Sequence, residues 1–245
     1  MRNFKLTLCY DGSRYRGWQK QGNTPNTVQG KLETLLSRLL EQSVEVHGAG
    51  RTDAGVHARA QTVSFRADTS LDCGELLKAL RAYLPEDIGA LSLEEAAPNF
   101  HARLSAKEKT YIYRVWNSET PCVFERKYVY VFPSALDMDA MRRAAGLLCG
   151  RRDFAAFSTG KKREGRSVRT LRSISTERLG DEVRLTFTGD GFMYNQVRIM
   201  TGTLLEIGRG DRSPEDIERI FASASRAEAG FTAPARGLCL WSVEY

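Results

Sequence analysis

Apolar and polar residues alternate from the start of the chain, with Phe4, Leu6, Leu8 and Tyr10 set against Lys5, Thr7 and Cys9. A period of two predicts a strand with one buried face. After a glycine-containing loop over 11–22, Pro25-Asn26-Thr27 opens a helix. Its Val28, Leu32, Leu35, Leu36, Leu39 and Leu40 fall on one face. Val44 and Val46, then residues 61–66, read as strands flanking a second glycine-rich stretch, residues 48–58. A helix over 74–83 aligns Leu76, Leu77 and Leu80 and is stopped by Pro85. A short strand over 90–95 follows.

Along residues 109–116 both alternating faces are bulky: Tyr111, Tyr113 and Val115 on one, Ile112 and Trp116 on the other. That pattern predicts a central strand covered on both sides. Tyr128, Tyr130 and Phe132 suggest another strand, and Met138, Met141, Ala145 and Leu148 mark a helix over 137–148. Residues 171–177 and 183–188 read as a hairpin turning at Gly180-Asp181. Residues 194–207 predict a helix that is apolar on most sides and ended by Gly208. Arg198 is its odd member, because a buried arginine needs a carboxylate or phosphate. Ser213-Pro214-Glu215-Asp216 predicts a helix start with Ser213 as cap, and residues 238–245 form a last strand. The sum is α+β, an antiparallel-rich sheet with helices on one side. The first half has the β-α-β-β-α-β order of a ferredoxin-like unit.

Composition narrows the class without deciding it. The 245 residues are 42% hydrophobic and 27% charged, an ordinary globular balance with room for one large domain or two smaller ones. No apolar run approaches the ~20 residues of a membrane span. With no signal-peptide block at Met1-Arg2-Asn3, the cytoplasm is the expected compartment. Five scattered cysteines without CxxC spacing argue against a disulfide framework or a zinc site. The net charge of +6 leans toward polyanions. Residues 161–172 hold six positive charges against one negative, and Gly160 and Gly165 mark them as a loop. That loop is either a solvated surface or a phosphate-contacting arm. Residues 11–22 mix Arg14, Arg16 and Lys20 with Tyr15 and Trp18. They either grip a nucleic acid by charge and stacking or form a loop pinned by a buried Trp.

The chemistry concentrates in Gly48-Ala49-Gly50-Arg51-Thr52-Asp53-Ala54-Gly55-Val56-His57-Ala58. Its glycines allow a tight turn and close approach of a ligand. Asp53 beside Arg51 is either a catalytic carboxylate or a turn residue satisfying nearby backbone N–H groups. A dinucleotide site fails, because Asp53 stands where the third glycine of GxGxxG belongs. There is no Walker lysine pattern. His47, Asp53 and His57, with His101, could be imagined around a metal, but none has HExxH spacing. No second acid accompanies Asp53 for glycoside hydrolysis, and no nucleophile elbow occurs.

The chain resembles the tRNA pseudouridine synthase A family. The residues that carry this are Tyr10-Asp11-Gly12 with Gly17-Trp18-Gln19; the whole block from Gly48 to Ala58; and Phe100-His101-Ala102-Arg103. Further matches are Lys109, Tyr111 and Tyr113; Asp153-Phe154; Gly191-Phe192 with Gln196-Val197-Arg198; and Thr232-Ala233-Pro234-Ala235 with Gly237-Leu238. They cover nearly the whole chain in the family's order. The resemblance implies two ferredoxin-like halves, 1–104 with the catalytic loop and 105–245. It implies that they build a continuous mixed, mostly antiparallel sheet with the active-site cleft between them. It further implies a homodimer that binds tRNA, no cofactor and no metal. The reaction would isomerise uridine to pseudouridine at tRNA positions 38, 39 and 40 of the anticodon stem-loop. Residue by residue, Asp53 matches the catalytic aspartate, Tyr111 the tyrosine that packs on the uracil, and Arg198 an arginine paired with the carboxylate. Arg51 matches the arginine implicated in base flipping, and Leu238 lies in a pocket-lining segment. Cys239 departs from the pattern, where a bulkier residue, often Tyr, is common. A catalytically silent RNA-binding protein on the same scaffold is the competing expectation.

Overall fold

The computed structural model describes residues 1–159 and 167–245. The chain forms two compact units, Met1–Lys107 with Leu240–Tyr245, and Glu108–Cys239. In chain order the first unit contains β1 (Arg2–Tyr10), α1 (Val28–Leu39), β2 (Val46–Gly48), β3 (His57–Ala67), α2 (Cys73–Tyr83) and β4 (Ile88–Glu95). Strand β1 lies between β4 and β3, and β2 pairs with β3, all antiparallel. The alternation of β1 puts Phe4, Leu6 and Leu8 fully inside. Register sets Phe4 opposite Phe65 and Leu6 opposite Val63, and the two phenylalanine rings stack at 5.1 Å. Helix α1 starts where Thr27 accepts from the Gly30 N–H, and it buries Val28, Leu32, Leu35 and Leu36. Helix α2 starts with a reciprocal box: the Asp72 side chain accepts from Glu75 N–H, and the Glu75 side chain accepts from Asp72 N–H. Leu84, ahead of Pro85, is extended and ends it.

The second unit contains β5 (Glu108–Trp116), β6 (Tyr130–Val131), α3 (Met138–Leu148), β7 (Gly150–Asp153), β8 (Val168–Leu179), β9 (Glu182–Gly189), α4 (Gln196–Arg209) and α5 (Asp216–Ser223). Its strand order is β5-β9-β8-β7, antiparallel throughout, with β6 parallel to β5. Tyr111, Ile112, Tyr113 and Val115 of β5 are all buried, as a strand covered on both faces requires. Strand β10 (Leu238–Glu244) follows, and from Leu240 onward it belongs to the first unit, where β3 is its neighbour. The chain order β5-α3-β8-β9-α4-β10 repeats that of β1-α1-β2-β3-α2-β4, with β6, β7 and α5 as additions. The class is α+β and mostly antiparallel. No helix among the described residues is long and apolar enough to cross a membrane.

Several boundaries differ from the sequence pattern for physical reasons. Helix α4 runs past Gly208 and ends at Gly210, which takes φ 88° and returns its N–H to the Glu206 and Ile207 carbonyls. Helix α5 begins at Asp216, not at Ser213; the Asp216 carboxylate instead accepts from the Ser213 N–H at 3.1 Å. Tyr128 and Phe132 lie outside β6, which has two residues only. Residues 168–170, read from the sequence as loop only, belong to β8, which starts ahead of the expected 171. The rest of that basic loop, from Gly160 to Arg166, falls outside the described residues.

Candidate active site

The Gly48–Ala58 stretch leaves β2 and enters β3, and it is tied at nearly every step. The Ala49 N–H donates to the Thr62 carbonyl at 2.8 Å. The Gln61 side-chain amide donates to the Gly50 carbonyl at 2.7 Å. The Trp18 N–H donates to the Thr52 carbonyl at 3.0 Å, and the Tyr10 and Thr52 hydroxyls are 2.8 Å apart. Val56 N–H closes a turn onto the Asp53 carbonyl, and Gly55 takes φ 79° within it. The segment is a turn, closed by the Asp53 main-chain carbonyl, and it carries a half-buried Asp53 with an exposed Arg51 close by.

The 11–22 loop is the clamp on this turn. Trp18 is 2% exposed and Tyr15 is 5% exposed, so neither ring is offered to a base. Its three basic residues, Arg14, Arg16 and Lys20, are all exposed, with Lys20 paired to Glu33 at 3.0 Å. A side chain at Gly48 would meet the Trp18 indole at 2.6 Å, and one at Gly12 would meet the Val56 carbonyl at 1.9 Å. His57 is buried, and its Nδ1 accepts from the Gly12 N–H at 3.0 Å. The Asp11 carboxylate lies 3.2 Å from the same nitrogen. His101 uses its Nδ1 to accept from the Arg103 and Leu104 N–H groups and stacks on His47 at 4.8 Å. Burial and the neighbouring His47 hold His101 below the usual histidine range. His57 and His101 each commit Nδ1 to backbone N–H groups, and His47 commits a ring face to His101.

The second unit carries the other three sequence-predicted residues. Tyr111 of β5 is 6% exposed and meets Phe192 edge to face at 5.1 Å. Two positions along the same face, the Tyr113 hydroxyl donates to the Pro234 carbonyl at 2.7 Å. Burial raises that hydroxyl above the ordinary tyrosine range, with Arg198 acting the other way. Arg198 of α4 is half-buried, contrary to the fully buried position expected from its helix. Its Nε donates to the Ala233 carbonyl at 2.7 Å, and the Ala233 N–H donates back to the Arg198 carbonyl at 3.1 Å. Another guanidinium nitrogen donates to the Asn195 side chain at 2.7 Å. Asn195 precedes α4 in the left-handed region, φ 62°. Gly237 lies so close to the Tyr113 ring that a Cβ there would approach within 2.7 Å. The turn over 233–237 is thereby fixed, and it delivers the buried Leu238 as the first residue of β10. Tyr111, Arg198 and Leu238 are thus linked in one unit through Tyr113 and residues 233–237. Sequence reasoning gave no role to the linking residues Tyr10, Thr52 and Tyr113, whose signal was only their place in the matched blocks, nor to Gln61, which lies outside those blocks.

A family profile described as tRNA pseudouridine synthase matches residues 8–104 and 144–245. The chain belongs to the tRNA pseudouridine synthase family. It is therefore an isomerase. Relatives named tRNA pseudouridine synthase A align along its full length. The protein of Bacillus sp. (strain KSM-64) is 41% identical over 100% of both chains. That of Exiguobacterium sp. (strain ATCC BAA-1283 / AT1b) is 42% identical over 100% of this chain and 98% of its own. A protein of Clostridium perfringens (strain 13 / Type A) named tRNA pseudouridine synthase A 2 is 41% identical, again over 100% of both. Both matched segments of the synthase family profile include the residues described above: Asp53 and Arg51 in the first, Arg198 and Leu238 in the second. Tyr111 falls between them.

Proposed function

We propose that this synthase isomerises uridine to pseudouridine at positions 38, 39 and 40 of the tRNA anticodon stem-loop, with Asp53 as the catalytic carboxylate. The observation that carries this reading is the Asp53 turn, which holds one carboxylate half exposed on a backbone fixed on both sides. A carboxylate so placed can attack or stabilise C1′ as the bond to N1 breaks. The uracil then rotates and rejoins C1′ through C5, C5 loses its proton, and N1 gains one. Bonds are redistributed with no change of oxidation state. The target nucleotide has to leave the stack to be reached, and we assign the exposed Arg51 to that step. Tyr111 supplies a ring to pack on the uracil, Arg198 a positive charge to balance the carboxylate, and Leu238 an apolar pocket wall. The tRNA pool makes the cytoplasm the compartment this reading requires.

The test uses tRNA carrying tritium at uridine C5. The wild-type protein is expected to release tritium to water, and release should vanish only when uridines 38, 39 and 40 are all replaced. Asp53→Asn is expected to abolish release while tRNA affinity stays within about threefold, since a neutral isostere removes charge and not shape. Tight binding of tRNA by the wild type with no tritium release would instead make the chain a binding protein on a synthase scaffold.

The resemblance also implies a homodimer with a shared basic surface. Sedimentation equilibrium should give twice the mass of 27.5 kDa; a single-chain mass at micromolar concentration would refute it.

A further inference from the structure

We propose that Tyr10 and Thr52 form a positioning pair for catalysis, in which the hydrogen bond between their hydroxyls fixes the backbone that carries Asp53. The proposal rests on Asp53 being the catalytic residue. Thr52 directly precedes Asp53 and is 6% exposed; Tyr10 is 5% exposed at the end of β1. Their hydroxyls lie 2.8 Å apart, and the two residues are 42 positions apart in sequence.

The Tyr10 ring has its own reasons to be where it is. It is buried and stacks on Trp18 at 6.3 Å. Trp18 in turn donates its N–H to the Thr52 carbonyl and fills the space over Gly48. The ring and the indole therefore supply packing, while the hydroxyl adds a directed tether to one side chain. Thr52 is held twice, by its carbonyl and by its hydroxyl, from two elements that are themselves packed. On the other side of Asp53, Val56 N–H and Gly55 complete the turn. The peptide unit ahead of the carboxylate is held at its carbonyl by Trp18, and the hydroxyl bond holds the Thr52 side chain and with it the Cα from which that unit departs. A reacting group displaced by about 1 Å can lose a hundredfold in rate, so a tether one residue away acts on turnover before it acts on folding.

The experiment compares Tyr10→Phe, Thr52→Val, Thr52→Ser and the Tyr10→Phe/Thr52→Val double variant. Single-turnover tritium release, tRNA Kd and Tm are read for each. Tyr10→Phe and Thr52→Val are each expected to slow single turnover by about ten- to a hundredfold, with tRNA Kd and Tm close to wild type. Thr52→Ser keeps the hydroxyl and should recover most of the rate. The double variant should be no slower than the slower single one, because both changes delete the same bond. Wild-type rates in Tyr10→Phe overturn the proposal. So does a rate loss that merely follows a loss of affinity or Tm, or a multiplicative loss in the double variant. Should Thr52→Val fail to fold, Tyr10→Phe and Thr52→Ser decide the matter between them. Asp53→Asn run alongside separates the two readings. If it is inactive while Tyr10→Phe turns over at full rate, only the positioning pair fails; if it releases tritium normally, the catalytic reading fails and the pair with it.

Discussion

A methyl group added at position 12 would have to overlap backbone, because its nearest neighbour, at 1.9 Å, is the Val56 carbonyl oxygen. Neither the 11–22 loop nor the Asp53 turn can relax without moving the other. Gly12→Ala is expected to lower unfolding free energy by about 1–3 kcal/mol and to depress turnover with it. Gly22 has nothing within 4 Å of its would-be Cβ, so Gly22→Ala serves as the matched control. Equal urea midpoints for the two would contradict the clash. At this scale the sequence was readable where residue type alone carries chemistry: an aspartate among glycines, with an arginine beside it, singles itself out. Tyr10 and Thr52 were not readable. A hydroxyl pair between distant segments depends on how the 11–22 loop folds back, and no local spacing encodes that. The aromatic residues of that loop misled for the same reason, since Tyr15 and Trp18 turn inward.

Among the elements, helix α2 shows how local signals suffice when both partners are near in sequence. Asp72 and Glu75 close their box over three residues at 2.8 and 2.9 Å. Replacing Asp72 by Ala should cost about 1 kcal/mol, seen as a lower Tm with no loss of single-turnover rate. An unchanged Tm would show the cap to be dispensable. Periodicity placed α1, α2, α3 and the β8–β9 hairpin well, because each buries a repeating face. It failed where two residues of one type do different jobs. A Cβ on Gly208 would sit 2.7 Å from Met141, so that glycine serves packing between α4 and α3, while Gly210 provides the left-handed stop. Strand β7, Gly150–Asp153, has no apolar alternation to reveal it and exists by its pairing with β8. In α5 the expected cap is displaced because Asp216 reaches back to Ser213.

For the whole molecule, the loss of stability in acid is a property that the sequence hid. Glu182 of β9 is buried and accepts two hydrogen bonds from Arg114, at 3.0 and 2.6 Å, and further ones from Arg184 at 3.0 Å. Burial alone would push its carboxyl up, but the Arg114 contacts and then those of Arg184 outweigh it and hold the group below the usual glutamate range. The folded value is therefore lower than the unfolded one. The stabilisation is fully present above the unfolded value of about 4.3 and is lost as pH falls through the folded one. Urea midpoints measured from neutral pH downward should fall more gently below about pH 4 in Glu182→Gln than in the wild type, from a lower starting point at neutral pH. Parallel curves would remove Glu182 from the acid response. The repeated strand-helix order of the two halves was legible along the chain. The spatial order of strands was not, since pairing between distant strands follows from packing that no window of sequence contains.

The path of β10 has a consequence in time. Residues 240–245 complete the first unit, where the Lys107 N–H donates to the Glu244 carbonyl and the Tyr245 hydroxyl donates to the Ala102 carbonyl at 2.8 Å. Lys5 also lies 5.2 Å from the Tyr245 ring. A ribosome delivers these partners only after the whole of Glu108–Cys239 has been made. Until then the nascent first unit waits with β3 unpaired along the edge that β10 will take, an exposed template for the wrong strand. The segment bearing Asp53 is translated early, yet the unit that holds it is finished only when synthesis reaches β10.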